Sequence, residues 1–95
     1  SYSNLSGSTG SWSDWILAVP SGAAVMTATM SGGSGDADLY TRFNAFPQTY
    51  AYDCRPYLIG NNESCTHNNP AVGNWYVSIR AYTTYSGVSL TFGYE

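Results

Sequence analysis

The sequence predicts an all-β protein, a small antiparallel β-sandwich with a jelly-roll-like arrangement and one disulfide. Three observations carry this expectation. Short runs of aromatic and β-branched residues alternate with a period of two, as half-buried strands do. Gly, Pro and Asn clusters separate those runs at turn positions. Helix formers are scarce, since the 95 residues contain no Lys and a single Gln, whereas Gly, Ser, Thr, Tyr and Asn dominate.

The elements follow in order. Residues 1–10 are Ser- and Gly-rich and read as the remnant of a linker, leaving 11–95 as the domain. Trp15 to Val19 is a strand stopped by Pro20. Val25 to Met30 alternates large and small side chains, and Ser31 to Gly35 is a turn able to adopt positive φ. Asp38 to Phe43 places Leu39, Thr41 and Phe43 on one face and Asp38, Tyr40 and Arg42 on the other. Tyr50 to Asp53 reads as a short edge strand leading into a polar loop. Asn74 to Tyr82 is the strongest strand, with Trp75, Val77, Ile79 and Ala81 inward and Tyr76, Ser78, Arg80 and Tyr82 outward. Val88 to Tyr94 alternates again after Ser86-Gly87. Several short strands at this spacing argue for two packed antiparallel sheets.

Composition excludes several classes. A formal charge of −3 offers no basic face to displace counterions from phosphates, so nucleic acid is not an expected partner. The same balance disfavours anionic lipid, and the longest apolar run, Trp15 to Val19, is too short to span a bilayer. Cys54 and Cys65 are the only cysteines. They read as a disulfide, hence a secreted, extracellular protein. The alternative, free or metal-bound thiols, lacks the second ligand pair that zinc wants and any C-x-x-C redox spacing. Catalysis is not expected. His67 is the only histidine, it reads as a solvated loop residue, and Gly32-Gly33-Ser34-Gly35 is a degenerate nucleophile motif without a strand–turn–helix context.

The segments MSGGSGDADLYTRF, YDCRPYLIGNNESC and GNWYVSIRAYTTYSGVSL resemble the bacterial pre-peptidase C-terminal (PPC) domain over about residues 11–92. The resemblance implies a small β-sandwich appended to a secreted bacterial hydrolase, often a metalloprotease, subtilisin-like protease or collagenase. It implies a relationship to the collagen-binding domain of bacterial collagenases, a role in holding insoluble substrate, and frequent removal during maturation. Calcium sites in those related domains come largely from an acidic N-terminal linker. Here SYSNLSGSTG carries no carboxylate.

Two constellations remain. Asp36 and Asp38 lie at i and i+2 after the glycine turn, so both project to one side and could share a calcium ion, with Asp14 as a third ligand. The bland alternative has Asp36 capping the turn and Asp38 paired with Arg42 or Arg80. The outward positions Tyr40, Arg42, Tyr76, Arg80 and Tyr82, with Tyr85 at the next turn, would form a Tyr/Arg wall suited to a solid protein. Trp12 is the candidate for stacking on sugar rings. Asp53, Arg55 and Glu63 flank the cysteines and suggest an ion pair across the bridged loop. The expected function is therefore a monomeric, non-catalytic accessory domain. It would bind insoluble protein such as collagen, or a polysaccharide such as chitin, beside the parent catalytic domain, or act as a cleavable secretion or folding aid.

Overall fold

A computed structural model describes residues 1–56 and 58–95. Seven strands form in chain order: β1 (Tyr2–Gly7), β2 (Trp12–Val19), β3 (Val25–Ser31), β4 (Ala37–Phe43), β5 (Glu63–Asn68), β6 (Gly73–Ala81) and β7 (Tyr85–Tyr94). They divide into a four-stranded sheet ordered β1-β7-β3-β5 and a three-stranded sheet ordered β2-β6-β4. Every pairing is antiparallel. The sandwich expected from sequence is the fold observed.

Period-two alternation sends one set of side chains from each sheet into a shared interior. Met26, Ala28 and Met30 of β3 meet Val88 and Leu90 of β7 on one side, and Leu39, Trp75, Val77 and Ile79 come from the other sheet. Each fully buried aliphatic chain contributes roughly 1.5–3 kcal/mol, which a domain this small needs from most of its core positions. The outer face of the four-stranded sheet is uncharged and hydroxyl-rich. Thr29 sits between Ser64 and Thr91, and Thr27 is paired to Thr66.

The glycine turn after β3 works through close approach. Gly33 and Gly35 have φ of 70° and 88°, and a Cβ on either would collide with the carbonyl oxygens of Ser86 and Thr84. Ser34 and Ser86 exchange backbone hydrogen bonds of 2.9 and 3.2 Å there, so the chain enters β4 at a fixed angle.

Three features differ from the sequence reading. The 1–10 segment is not a linker remnant, because Tyr2–Gly7 pairs with β7 through a bulged register and Leu5 packs against the core. Backbone pairing, not an apolar pattern, makes that strand. Glu63–Asn68 is β5, an edge strand whose inward positions are Glu63, Cys65 and His67. Its polarity hid it. Residues 50–53 form no strand; Gln48↔Ala51 and Thr41↔Cys54 are isolated bridges.

Cys54 and Cys65 form the expected disulfide, closing a loop of sequence separation 11. It joins the segment beside β4 in one sheet to β5 in the other. Replacing both cysteines by serine should lower unfolding stability by about 3 kcal/mol, read as a shift in the denaturant midpoint.

Candidate binding surface

The long segment between β4 and β5 decides what the protein shows to solvent. It folds back along the open edge of β4 and over the outer face of the three-stranded sheet. The N–H of Thr41 donates to the Cys54 carbonyl at 3.0 Å, and that of Phe43 to Asp53 Oδ2 at 2.6 Å. Leu39 N–H donates to Glu63 Oε1 at 2.8 Å and Ala37 N–H to Asn61 Oδ1 at 2.8 Å. Asn61 also donates through Nδ2 to the carbonyls of Gly32 and Ser34.

Under this segment lies a second packing layer built on Tyr40. Its ring lies 4.8 Å from Trp12 and 5.8 Å from Tyr52, and the Arg55 guanidinium sits 4.8 Å over its face. Nearby, Phe46 meets Tyr76 edge-on at 4.6 Å, and Arg42 Nη1 donates to the Phe46 carbonyl at 3.0 Å. Such ring pairs add about 0.5–1.5 kcal/mol each beyond area burial.

The expected Tyr/Arg wall is therefore only partly open. Tyr40 is 0% exposed and Tyr85 2% exposed, so neither offers a ring to a partner. Tyr40 does point away from the main core, as its strand position requires, but the loop covers it. Tyr85 opens β7 and turns inward against Gly7. Trp12, Arg42, Tyr76 and Arg80 are half-buried, while Tyr82 is 59% exposed. The residues that sequence reasoning missed lie on the covering loop. Phe46, Tyr50, Tyr52, Leu58 and Ile59 are exposed there, Ile59 at 98%. Their signal was present, as large apolar residues in a polar loop with no alternating pattern to bury them.

An open cleft of about 440 Å³ lies at one end of this face, lined by Asp36, Asp38, Arg55, Leu58, Ile59 and Tyr82. Asp38 is buried and paired with Arg55, Nη2 to Oδ2 at 3.1 Å. The pairing expected with Arg42 or Arg80 does not form, because the loop brings Arg55 over the strand and Arg42 turns to Phe46. Asp36, Asp38 and Glu63 present carboxylate oxygens all within 4.8 Å of one another. Asp14 is not among them; its Oδ1 accepts a 2.5 Å bond from the Ser78 hydroxyl on the neighbouring strand. Burial pushes the Glu63 carboxyl up to about 7, with Asp38 and Asp36 adding to the rise against the Leu39 N–H and Arg55. Asp36 is raised by burial and by Asp38, opposed by the Gly60 N–H.

His67 is a half-buried β5 residue, not a solvated loop position. Its Nε2 lies 2.8 Å from the Thr41 hydroxyl, and its ring lies 4.5 Å from Trp75. Burial holds its pKa below the usual imidazole value, with Asp53 opposing. Thr41 is fully buried, so that hydroxyl cannot reach a substrate.

The sequence model described as the bacterial pre-peptidase C-terminal domain matches residues 15–81, and the chain belongs to that family. Alkaline serine exoprotease A of Vibrio alginolyticus is 48% identical over 92 residues, covering 97% of this chain and 17% of that protein. An extracellular protease of Xanthomonas campestris is 47% identical over 90 residues, covering 95% of this chain and 15% of that protein. A solved structure, "Solution structure of vEP C-ter 100", superposes with a TM-score of 0.77 at 45% identity over 95% of this chain and 88% of that one. The chain thus spans about a sixth of the length of these curated relatives. It corresponds to an accessory portion of larger proteases and is not itself catalytic.

Two predictions follow from this geometry. Tyr40→Ala should destabilise by about 3–4 kcal/mol, whereas Tyr82→Ala should stay within about 0.5 kcal/mol of the parent, both measured by denaturant unfolding. His67 binds a proton less readily folded than unfolded, so its contribution is full above the ordinary imidazole pKa and is lost as pH falls through the lowered one. The stability of the wild type relative to His67→Gln should therefore decline as pH drops from 7.5 to about 5. An unchanged difference across that range would contradict the assignment.

Proposed function

We propose that this chain is the adhesive accessory domain of a secreted bacterial protease, holding the enzyme outside the cell on insoluble protein, with collagen the leading substrate. The observation that carries this reading is one-sidedness. Among the described residues, ten large hydrophobic side chains are exposed. Six of them, Ile16, Phe46, Tyr50, Tyr52, Leu58 and Ile59, belong to the covering loop or to the strand face beneath it, and a seventh, Tyr82 in the turn after β6, lines the same cleft as Leu58 and Ile59. The opposite face offers Ser and Thr. A cluster of exposed apolar side chains on a small, rigid domain marks a contact surface, and tyrosines add hydrogen-bonding hydroxyls at little cost in rotamer entropy.

A collagen triple helix presents ridges of imino-acid rings and backbone carbonyls, which rings and phenol hydroxyls complement. Stacking on a polysaccharide is less well supported, because the Trp12 ring already packs on Tyr40 at 4.8 Å. The parent catalytic domain is the proposed covalent neighbour. Folding and secretion would then be secondary roles.

Retention of the 95-residue chain on insoluble collagen, with crystalline chitin in parallel, tests this reading. Wild type should be held by collagen, and Tyr82→Ala combined with Ile59→Ser should weaken retention at least tenfold. No retention on collagen or other insoluble protein overturns the proposal. Retention on chitin that Trp12→Ala abolishes would replace it with carbohydrate binding.

A further inference from the structure

The edges of the two sheets are treated differently. The edge of β4 is taken by the segment from Asp53 to Glu63, and β5 is cross-linked to that segment through Cys65. β1 meets β7 through two register shifts, a bulged geometry that resists pairing with another chain. β2 has none of these devices. Its eight residues pair with β6 without a shift, and they include neither Pro nor Lys. Ala81 N–H donates to the Ser11 carbonyl at 3.0 Å. Hydrogen-bonded pairs alternate along an antiparallel ladder, so Ser13, Trp15 and Leu17 bond to β6. Trp12, Asp14, Ile16 and Ala18 turn their N–H and C=O groups outward, and no described residue bonds to them. The side chains of the same four residues stand on the outer face, with Ile16 53% exposed and Asp14 and Ala18 exposed beside it. An open cleft of about 280 Å³ adjoins them, lined by Trp12, Asp14, Phe46, Pro47 and Gln48. Asp14 is the only charge on β2. Its Oδ1 accepts from the Ser78 hydroxyl, and among the described residues it joins no ion pair.

We propose that the edge of β2 takes an extended segment of a protein substrate as an added strand, with a basic side chain of that segment beside Asp14. An extended backbone is the ligand whose alternating N–H and C=O groups match a row of the same groups. Charge complementarity selects the side chain. A Lys or Arg opposite Asp14 lays its stem along the rings of Trp12 and Phe46 and brings its cation to the carboxylate. Ile16 offers apolar contact to the next residue on that face. A second copy of this chain fits less well, because its β2 carries no basic residue to meet Asp14. The site borders the adhesive face without resting on that reading, since a coiled triple helix cannot lie along a sheet edge as a strand.

Fluorescence anisotropy of a capped, fluorescein-labelled peptide, Thr-Val-Thr-Arg-Thr-Val-Thr, titrated with the 95-residue chain tests the site. Binding should saturate with a Kd on the order of 0.1–1 mM. In the added strand the Arg and Val residues aim their N–H groups at β2, whereas those of Thr point away. N-methylation of the Arg and one Val should therefore weaken binding roughly tenfold or more, and N-methylation of the two central Thr residues less than about twofold. Asp14→Asn should weaken binding about three- to tenfold. Replacing the peptide's Arg by Gln should do the same, and the two changes together should cost little more than either alone. Ile16→Pro removes an outward N–H without touching the β6 ladder and should abolish binding, with its folding checked by circular dichroism. The N-methyl series uses the unaltered chain and stands whether or not that variant folds. The proposal is overturned by absence of saturable binding, or by two N-methylated peptides that bind alike. Dimerisation of the chain that Ile16→Pro abolishes would assign the edge to a second copy and overturn it too. Retention on collagen is a separate readout, so failure of either reading leaves the other standing.

Discussion

Ala37, Leu39, Thr41 and Phe43 each turn a backbone N–H away from β6, toward what would otherwise be an open sheet edge. An exposed row of such donors invites pairing with other chains, and buried without acceptors it costs the desolvation of each group. Here every one of the four is taken: by Asn61, Glu63, the Cys54 carbonyl and Asp53. All four acceptors belong to the stretch from Asp53 to Glu63. Satisfying one strand's edge therefore fixes the path of the longest irregular segment, and the disulfide to β5 keeps that segment from peeling away.

The rest of the surface follows from this constraint. Because the segment crosses the outer face of the three-stranded sheet, Tyr40 and Asp38 become interior, and Arg55 is delivered as their shared partner. A buried carboxylate–guanidinium pair is weak evidence for stability taken alone, since desolvation offsets much of the attraction. Its role here is positional. It locates the segment over the strand while the rings of Trp12, Tyr40 and Tyr52 fill the gap. What remains exposed on top is apolar and aromatic, whereas the opposite sheet presents Thr and Ser.

This division of faces fits a module carried by a larger protease. Relatives from Vibrio and Xanthomonas contain the segment as 17% and 15% of their lengths. The chain's one histidine, His67, packs at a tilt against Trp75 and faces the buried Thr41 hydroxyl. A small scaffold with one hydroxyl-rich face and one apolar, aromatic face is what so thin a core can sustain. The carboxylates of Asp36, Asp38 and Glu63 meet where the covering segment returns to β5.

The sequence alone determined the β class, the two-layer sandwich, the disulfide and the family, because alternation, turn residues and the GDADLY and cysteine-loop motifs are local signals. It also determined which side of a strand each residue faces: Tyr40 and Ser78 do point away from the main core, and Trp75, Val77 and Ile79 toward it. Only the tertiary structure decided which of the outward residues stay in solvent. Covering Tyr40, opening β5 on a buried Glu63, pairing β1 with β7 and exchanging Asp14 for Glu63 beside Asp36 all depend on backbone hydrogen bonds between segments far apart in the chain. Along β4 the donors are main-chain N–H groups, and the acceptors, the Cys54 carbonyl and the side chains of Asn61, Glu63 and Asp53, reach them only through the path of the chain.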